Sequence, residues 1–359
     1  MNLLFITDAR PHAHDYGVDF LIQGAYALLG KDHVFEWPEK PNLHLVLGAD
    51  RDVCQIDSDA WLPAKRLPAD YLRTMASRGE FDAVMLTGAY GTTEPWRQVC
   101  GALPPATPVI GLHYDDEVTD TRAALEGLVG RSLTAYYHRE QPPAHARQLW
   151  LTQPCERVRP VRYKYATLGV FYHGSTHGWD AESPRRRMLN SVCEATAENE
   201  RQVFLTDDQE RGRMRPEVYR EHLWHAAISV VWNSNRERDF PVWQSNRFME
   251  SLALGCAIVA ERPWGETGTH FVNHFPAQSI AWIDAPEDAA SVVRTLLDDP
   301  ERTRAMAELA QRAFVESFTS ERMLDRPSCC LDPLPLCPGR VLDRLEWKRK
   351  WLGLMLPVS

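Results

Sequence analysis

Arg247 and Glu250 are the two residues whose types and spacing point most directly to binding chemistry. They stand three positions apart at the polar start of an apolar-periodic segment, and helical geometry places such residues on one face. Arg247 could pair with Glu250 or bind a phosphate group, and the two roles can coexist. Glu250 could instead be a solvated carboxylate that stabilises the start of its helix.

The residues after this pair predict the element that positions it. Phe248, Leu252 and Leu254 suit one packed face of a short helix. Gly255 suits a left-handed C-terminal cap, and the apolar residues 257–260 suit a parallel strand that is covered on both faces. The sequence therefore predicts a helix, a glycine stop and a buried strand in succession.

Other segments repeat a strand, a polar loop and a helix, which is the pattern of α/β proteins with parallel sheets. The predicted strands are Leu3–Ile6, Phe81–Thr87, Pro108–Leu112, Ala166–Tyr172, Val203–Leu205 and Ile228–Trp232. The predicted helices are Val18–Leu29, Pro184–Ala197, Tyr219–Ala227, Glu287–Leu297 and Pro300–Ser317. In such sheets, ligands bind at the carboxyl ends of the strands.

Three polar residues follow the strand predicted at Pro108–Leu112, and they are the candidate catalytic residues: His113, Asp115 and Asp116. Paired carboxylates at a strand end can bind a substrate hydroxyl or support proton transfer. Adjacent acids in a loop can equally be helix caps or solvated groups. We expect contact with a hydroxyl group and leave a part in catalysis open.

The predicted loop His173–Gly178 contains small residues that would let backbone N–H groups approach a pyrophosphate. Its candidate contacts are Gly174, Ser175 and His177. Three consecutive arginines, residues 185–187, begin the next helix. At best one of them would reach a phosphate, and Arg187 is the candidate, with a solvated surface as the alternative.

A third candidate loop, Trp264–Gly268, follows the predicted strand 257–260. Glu266 and Thr267 lie in this loop, at the sheet edge where a ligand would bind. The alternative is a glycine turn with exposed polar residues.

No metal or other cofactor is predicted. The eight cysteines are scattered without a CxxC pair, so reduced packing residues are the expected role. His12, His14 and Asp15 crowd the first predicted exit loop, but a fourth ligand at suitable spacing is missing. We therefore expect a polar loop there.

Length and charge limit the function classes. A chain of 359 residues fits two α/β domains with a cleft between them. A formal net charge of −9 argues against nucleic acid as the main partner, while a local basic pocket for one small anion stays open. The sequence has no apolar run of transmembrane length and no secretion signal at its start, so a cytoplasmic location is expected.

A proline-rich basic stretch predicts the boundary between the domains. We expect a first domain at residues 1–160, a second at 161–325 and a proline- and cysteine-rich tail at 326–359. The tail ends in a predicted helix, Val341–Leu356, which we expect to pack on the first domain. Dimerisation or peripheral contact with a membrane surface are the alternatives.

The segment from Tyr219 to Arg322 also carries a series of motifs in a recognisable order. They are Tyr219 with Ala226-Ala227-Ile228-Ser229-Val230, Arg247-Phe248-Met249-Glu250, Ala253-Leu254-Gly255-Cys256-Ala257-Ile258-Val259, Gly265-Glu266-Thr267-Gly268, Leu296-Leu297-Asp298-Asp299-Pro300-Glu301-Arg302, Phe318-Thr319 and Arg322. Their order and spacing resemble the carboxyl-terminal domain of GT-B glycosyltransferases, in particular the spore-maturation-type branch related to the large retaining family. Asp115-Asp116 and Tyr137-His138-Arg139-Glu140 look like the same branch.

This resemblance implies two Rossmann-like domains with parallel sheets facing a cleft, the first binding the acceptor and the second the donor. It implies transfer of a sugar from a nucleoside diphosphate to an unidentified acceptor, with retention and without an essential metal. Glu250 would accept hydrogen bonds from the ribose hydroxyls. The candidate donor contacts are Gly174, Ser175, His177, Arg187, Arg247, Glu250, Glu266 and Thr267.

Val242 departs from the wider retaining family, which has a glutamate eight positions before the residue that matches Glu250. The group that faces the donor sugar is therefore unassigned. Two alternatives stay open, namely a noncatalytic GT-B-like protein that binds a nucleotide sugar or a partner protein, and a nucleotide-sugar epimerase.

Overall fold

The structure, a computed structural model, divides into two compact units between Pro154 and Cys155. It describes residues 1–6, 22, 25, 29–37, 68–87, 97, 99–113, 134–137, 147–148, 158–161, 168–174, 183–196, 203–207, 216–232 and 246–318. The predicted tail, residues 326–359, lies outside these ranges.

The described residues of the first unit include a parallel sheet with a helix packed on it. Its strands are β1 (Leu3–Ile6), β2 (Val34–Trp37), β3 (Ala83–Thr87), β4 (Val109–His113), β5 (Thr134–Tyr137) and β6 (Arg147–Gln148), in the order β2-β1-β3-β4-β5-β6. A 3-10 turn at Lys31–His33 precedes β2, and helix α1 (Ala69–Ser77) precedes β3. Every residue of β1 is buried, as a parallel strand covered on both faces requires.

The second unit contains a five-stranded parallel sheet. In chain order its elements are β7 (Leu168–Gly174), α2 (Pro184–Thr196), β8 (Val203–Asp207), α3 (Pro216–Trp224), β9 (Ala226–Val231), α4 (Asn246–Ala253), β10 (Ala257–Glu261), α5 (Gly265–Asn273), β11 (Ala281–Ile283), α6 (Asp288–Asp298) and α7 (Pro300–Ser317). The strand order is β11-β10-β9-β7-β8. Both described sheets are therefore parallel, as the sequence predicted.

Helices cover both faces of the second sheet. Side chains alternate between the faces of a strand, and the two neighbours Phe171 and Tyr172 show this at the centre of β7. Tyr172 is buried in a cluster with Met188 and Val192 of α2. Phe171 is buried in a separate cluster with Leu223 of α3. β7 is therefore packed between α2 on one face of the sheet and α3 on the other.

Several predicted element ends were wrong. The predicted helix Tyr219–Ala227 is displaced, because α3 spans Pro216–Trp224 and Ala226 already begins β9. An unbroken apolar run suits a buried strand as well as a helix face, so periodicity alone misplaced this boundary. β7 continues to Gly174, two residues beyond the predicted strand end. The elements β2, β5, β6, β11, α1 and α5 had no counterpart in the sequence prediction.

Gly255 ends α4 in the left-handed conformation that the sequence predicted, with φ of 71°. The amide of Cys256 donates to the Ser251 carbonyl at 2.9 Å, and the amide of Gly255 donates to Leu252 at 3.1 Å. These two bonds form a Schellman motif. A Cβ atom at Gly255 would lie only 2.9 Å from Val161 Cγ2. Both the backbone angle and the available space therefore require glycine.

Gly79 offers a matched comparison, because it ends α1 with φ of 67° and the same pair of bonds, from Glu80 to Met75 and from Gly79 to Ala76. Its nearest neighbour for a Cβ is the side-chain atom Pro104 Cγ at 3.3 Å. Gly79 is therefore constrained mainly by its backbone angle.

We predict that Gly79→Ala lowers the free energy of unfolding by about 1–2 kcal/mol, the cost of a left-handed alanine. Gly255→Ala should cost about 2–4 kcal/mol, because overpacking against Val161 adds to that angle. Hydrogen exchange read by mass spectrometry in β1 and β10 measures the two units separately. Equal losses for the two variants would contradict the steric role of Val161.

Candidate functional site at the carboxyl edge of the second sheet

The order of strands in the second sheet creates a position where a ligand can bind. The chain passes from β7 to β8 on one side and then returns to form β9 on the other side of β7. Helices that leave β7 and β9 therefore diverge to opposite faces, which opens a crevice outside the carboxyl ends of these two strands. β7 ends at Gly174, and β9 ends at Val231.

Arg185, in the first turn of α2, bridges this position. Its Nε–H donates to the carbonyl oxygen of Trp232, the residue after β9, at 2.9 Å. Burial lowers the pKa of Arg185 to about 10; Tyr172 and Glu261 oppose this, whereas the nearby Arg247 also lowers it. The depressed pKa shows that the surroundings leave part of its positive charge uncompensated.

Arg247, in the first turn of α4, reaches the same place from the other side. Its guanidinium carbon lies 4.6 Å from the ring centroid of Tyr172, a cation–π contact with a fully buried ring. Burial alone would lower the pKa of Arg247, but Tyr172, Tyr219 and Glu250 together raise it above its usual value. Arg247 is therefore held as a cation, and its buried Nε has no hydrogen-bond partner among the described residues.

Glu250 lies one turn after Arg247 and is partly exposed. Burial raises the pKa of its carboxyl group, and Arg220, Tyr219 and Arg247 each oppose that rise. Arg220 is itself buried, with 3% of its surface exposed. The Glu250 carboxylate is thus a hydrogen-bond acceptor that the protein only partly compensates.

We call Tyr172, Arg185, Arg247 and Glu250 the edge cluster. It combines two guanidinium groups and a carboxylate beside the switch in strand order. Guanidinium groups bind phosphate oxygens, and a carboxylate binds hydroxyl groups. The edge cluster can therefore bind a ligand that carries both phosphate and hydroxyl groups.

The start of α4 is fixed by buried contacts beneath Arg247. The hydroxyl oxygens of Ser229 in β9 and Ser251 in α4 lie 2.8 Å apart, and Ser251 Oγ lies 2.7 Å from the carbonyl oxygen of Arg247. Phe248 stacks on Trp282 with ring centroids 5.6 Å apart, and it also contacts Phe271 at 5.7 Å. These contacts hold the first turn of α4 in place beside β9.

The structure brings Arg247 and Glu250 together with Arg185, a member of the predicted arginine run. Arg187, the member chosen from the sequence, is exposed and lies 3.4 Å from Glu287 in an ion pair. Helical spacing could have separated the two, because Arg185 precedes the buried Met188 by three positions and Val192 by seven. Whether Arg187 also binds a donor stays a prediction.

The other predicted donor contacts are described only in part. Gly174 is the last residue of β7, paired with Asp207 of β8, and does not belong to a loop as predicted. Ser175 and His177 lie outside the described residues. Glu266 and Thr267 were predicted in a loop but belong to the first turn of α5, since this polar segment directly continues into an apolar-periodic helix.

The predicted acceptor contacts lie in the first unit. His113 is the last residue of β4, at the carboxyl edge of the first sheet. Asp115 and Asp116 lie outside the described residues, as do His12, His14 and Asp15. Their roles stay predictions.

Sequence reasoning missed Tyr172, Arg220 and Glu261. Tyr172 fits the apolar pattern of a buried strand. No neighbouring residue in the sequence therefore indicates that its ring contacts Arg247. Arg220 precedes the buried Leu223 by three positions, and this charged residue on an apolar helix face was a usable signal. Glu261 is fully buried at the end of β10, and its charge opposes the lowering of the Arg185 pKa. The sequence could not show this interaction, because it depends on which strands are neighbours in the sheet.

This chain resembles a known protein family in sequence over about half of its length, and solved structures in fold over most of its length. Residues 150–326 match the model of a family described as glycosyl transferase-like. HepE of Anabaena, solved with UDP and glucose, superimposes with a TM-score of 0.51 at 11% identity, over 89% of this chain and 96% of that chain. An α-glucosyltransferase solved with UDP-glucose and DNA containing an abasic site gives a TM-score of 0.52 at 11% identity, over 88% and 95%.

This chain has the GT-B fold. The edge cluster lies in the unit that carries the glycosyl transferase-like sequence. No curated protein matches the chain. In the described ranges, no helix of this GT-B protein has the length and apolar character needed to cross a membrane.

We predict that replacing Glu250 by glutamine changes how stability depends on pH. Because the native-state pKa of Glu250 is raised, the native protein binds this proton more tightly than the unfolded chain. Ionisation of Glu250 therefore costs stability as pH rises through the native-state pKa, and Glu250→Gln does not titrate.

The free energy of unfolding of Glu250→Gln, minus that of the wild type, should increase as the pH rises above about 4, the usual pKa range of a glutamate. Urea unfolding at a series of pH values measures this difference. A difference that stays constant or falls across the series would show that burial does not raise the pKa of Glu250.

Proposed function

We propose that this protein is a glycosyltransferase that moves a sugar from a nucleoside diphosphate to an acceptor hydroxyl, with retention, as a member of the spore-maturation-type branch. One observation carries the proposal. Arg247 packs on the Tyr172 ring and Arg185 binds the Trp232 carbonyl, both at the switch in strand order of the unit whose sequence matches the glycosyl transferase-like family.

The positive charge of the edge cluster supports binding of a diphosphate. Arg185 is desolvated and lies close to a second cation, Arg247, and both effects lower its pKa. A bound anion would reverse both penalties, because it neutralises the two guanidinium groups and accepts their N–H bonds. The bond from Arg185 to the Trp232 carbonyl holds the guanidinium in one orientation before the ligand arrives.

Glu250 supports binding of the sugar part of a nucleotide. An ionised carboxylate only accepts hydrogen bonds, so it selects hydroxyl donors and repels phosphate oxygens. Glu250 stands one helical turn from Arg247, which allows one ligand to place a phosphate at Arg247 and hydroxyls at Glu250. A nucleoside diphosphate carries both kinds of group, with hydroxyls on its ribose and phosphates attached to that ribose.

The chemistry needs few groups beyond those that hold the donor. The bond between the anomeric carbon and the diphosphate oxygen breaks, and the acceptor oxygen forms a bond to the same carbon on the same face. The departing phosphate can take the acceptor proton, so no strong protein base is required. Arginine side chains and helix N-termini stabilise the charge that develops on the leaving diphosphate, without an essential metal.

Uridine nucleotides are the first donors to test, because UDP and UDP-glucose occupy the two solved structures of similar fold. We propose that the acceptor binds through the first unit, with Asp115, Asp116 and His113 as the candidate contacts. A net charge of −9 leads us to expect an acceptor other than nucleic acid.

We predict that Arg185→Ala weakens UDP binding about tenfold to a hundredfold, because it removes a charged hydrogen-bond donor from a desolvated site. We propose Arg185 in place of Arg187 as the phosphate contact, so Arg187→Ala should leave the affinity unchanged, since Arg187 is exposed and pairs with Glu287. Isothermal titration calorimetry of the wild type and both variants gives the three dissociation constants.

Arg187→Ala is a matched control, as it removes the same side chain two residues further along the same helix. Equal effects of the two substitutions on the dissociation constant would contradict the assignment of the phosphate contact to Arg185. If the wild type binds no nucleoside diphosphate up to millimolar concentration, the proposed function is wrong.

We further predict turnover that survives metal removal. Incubation of the protein with radiolabelled UDP-sugars and a panel of acceptor sugars, lipids and DNA should release UDP and label one acceptor class. Prior treatment with EDTA should leave the rate unchanged. Release of an epimerised UDP-sugar without any acceptor would identify an epimerase, and nucleotide binding without turnover would identify a noncatalytic binding protein.

A further inference from the structure

Tyr172 stands where the second sheet opens. The pairing of β7 with β9 ends at Phe171, opposite Ser229, while the pairing of β7 with β8 continues to Gly174. Tyr172 is therefore the first residue of β7 beyond its last pair with β9, where the crevice between these two strands begins. The proposed function uses the ring of Tyr172 as a contact of Arg247 and gives its hydroxyl group no role.

Packing fixes the ring of Tyr172. The residue is fully buried and belongs to an apolar cluster with Met188 and Val192 of α2. Its hydroxyl oxygen is also buried and has no hydrogen-bond partner among the described residues. A buried polar group without a partner costs stability, and nearly all such groups in native proteins are hydrogen-bonded. A hydroxyl of this kind at the start of a crevice points to a partner that enters the crevice.

A second buried donor lies against the same ring. The guanidinium of Arg247 lies over Tyr172, with 4.6 Å between its central carbon and the ring centroid. The Nε atom of Arg247 is buried and, within the part of the chain that the structure describes, has no hydrogen-bond partner. Two side chains in direct contact therefore each hold a buried polar group that a ligand could satisfy.

The charged neighbours of the Tyr172 hydroxyl cannot accept its proton. Arg247 lies over the ring, and the other nearby cation is Arg185, whose Nε–H donates to the Trp232 carbonyl across the crevice. Guanidinium groups only donate hydrogen bonds, so they can approach the hydroxyl oxygen but cannot take a bond from its proton. That proton needs an acceptor, and the two cations favour an acceptor that carries negative charge.

We propose that Tyr172 is a further ligand-binding residue, whose hydroxyl donates a hydrogen bond to a phosphate oxygen of the nucleoside diphosphate, beside Arg247. A phosphate group has several acceptor oxygens, so one group can accept bonds from the Tyr172 hydroxyl and from Arg247 Nε–H together. That the anion belongs to a nucleotide rests on the proposed function. The two side chains themselves require only an oxyanion.

The first experiment tests whether the hydroxyl has a partner inside the protein. Tyr172→Phe keeps the ring against Met188 and Arg247 and removes only the hydroxyl. Because no internal hydrogen bond is lost, the ligand-free variant should be at least as stable as the wild type. Hydrogen exchange in β10, read by mass spectrometry, reports the stability of the second unit and should be no faster in the variant. Faster exchange would mean that the hydroxyl is already bonded within the protein and would overturn the proposal.

The second experiment measures affinity by isothermal titration calorimetry at neutral pH, with UDP and with inorganic pyrophosphate. Tyr172→Phe should weaken the binding of each ligand about tenfold, because one hydrogen bond to a charged group is lost. Tyr71→Phe is the matched control, since Tyr71 lies on α1 in the first unit with 55% of its surface exposed. It should change neither the affinities nor the exchange in β10.

The two ligands separate failure of this proposal from failure of the proposed function. If UDP binds equally well to Tyr172→Phe and to the wild type, the proposal is wrong and the proposed function stands. If the wild type binds pyrophosphate but no UDP, the proposed function fails, and the pyrophosphate affinities of the two proteins decide the role of Tyr172. If the wild type binds neither ligand, both are wrong.

Discussion

The stability of the second unit depends on how the protein compensates the positive charge of three arginines at the edge of an apolar sheet. Arg185, Arg220 and Arg247 bring guanidinium groups into surroundings where an uncompensated charge costs several kcal/mol. Glu250 and Glu261 offset part of that cost, and aromatic rings and a main-chain carbonyl contribute further. An anion bound at this edge would neutralise part of the remaining positive charge and add to stability.

The backbone architecture keeps this charge at one place. The switch in strand order separates the elements after β7 and β9, and the bond between Arg185 and Trp232 crosses that separation. On the opposite side, the serine pair at 229 and 251 and the Schellman motif at Gly255 fix both ends of α4. Fixing the helix at both ends preorganises Arg247 and Glu250, so little conformational entropy is lost when a ligand binds.

The two kinds of similarity support different statements. The family match covers residues 150–326 and therefore the edge cluster. The fold match covers 89% of the chain at 11% identity, which establishes the GT-B architecture and does not identify a ligand.

The sequence by itself determined part of the local structure, because helical and strand periods and a glycine stop are properties of neighbouring residues. It predicted the parallel sheets, the helix that carries Arg247 and Glu250, and the left-handed Gly255. Only the tertiary structure decided that Arg185 reaches the Trp232 carbonyl and that Arg247 packs on the Tyr172 ring. The physical reason is that β7 pairs with β9, more than fifty residues away, and a local period carries no information about which strands become neighbours.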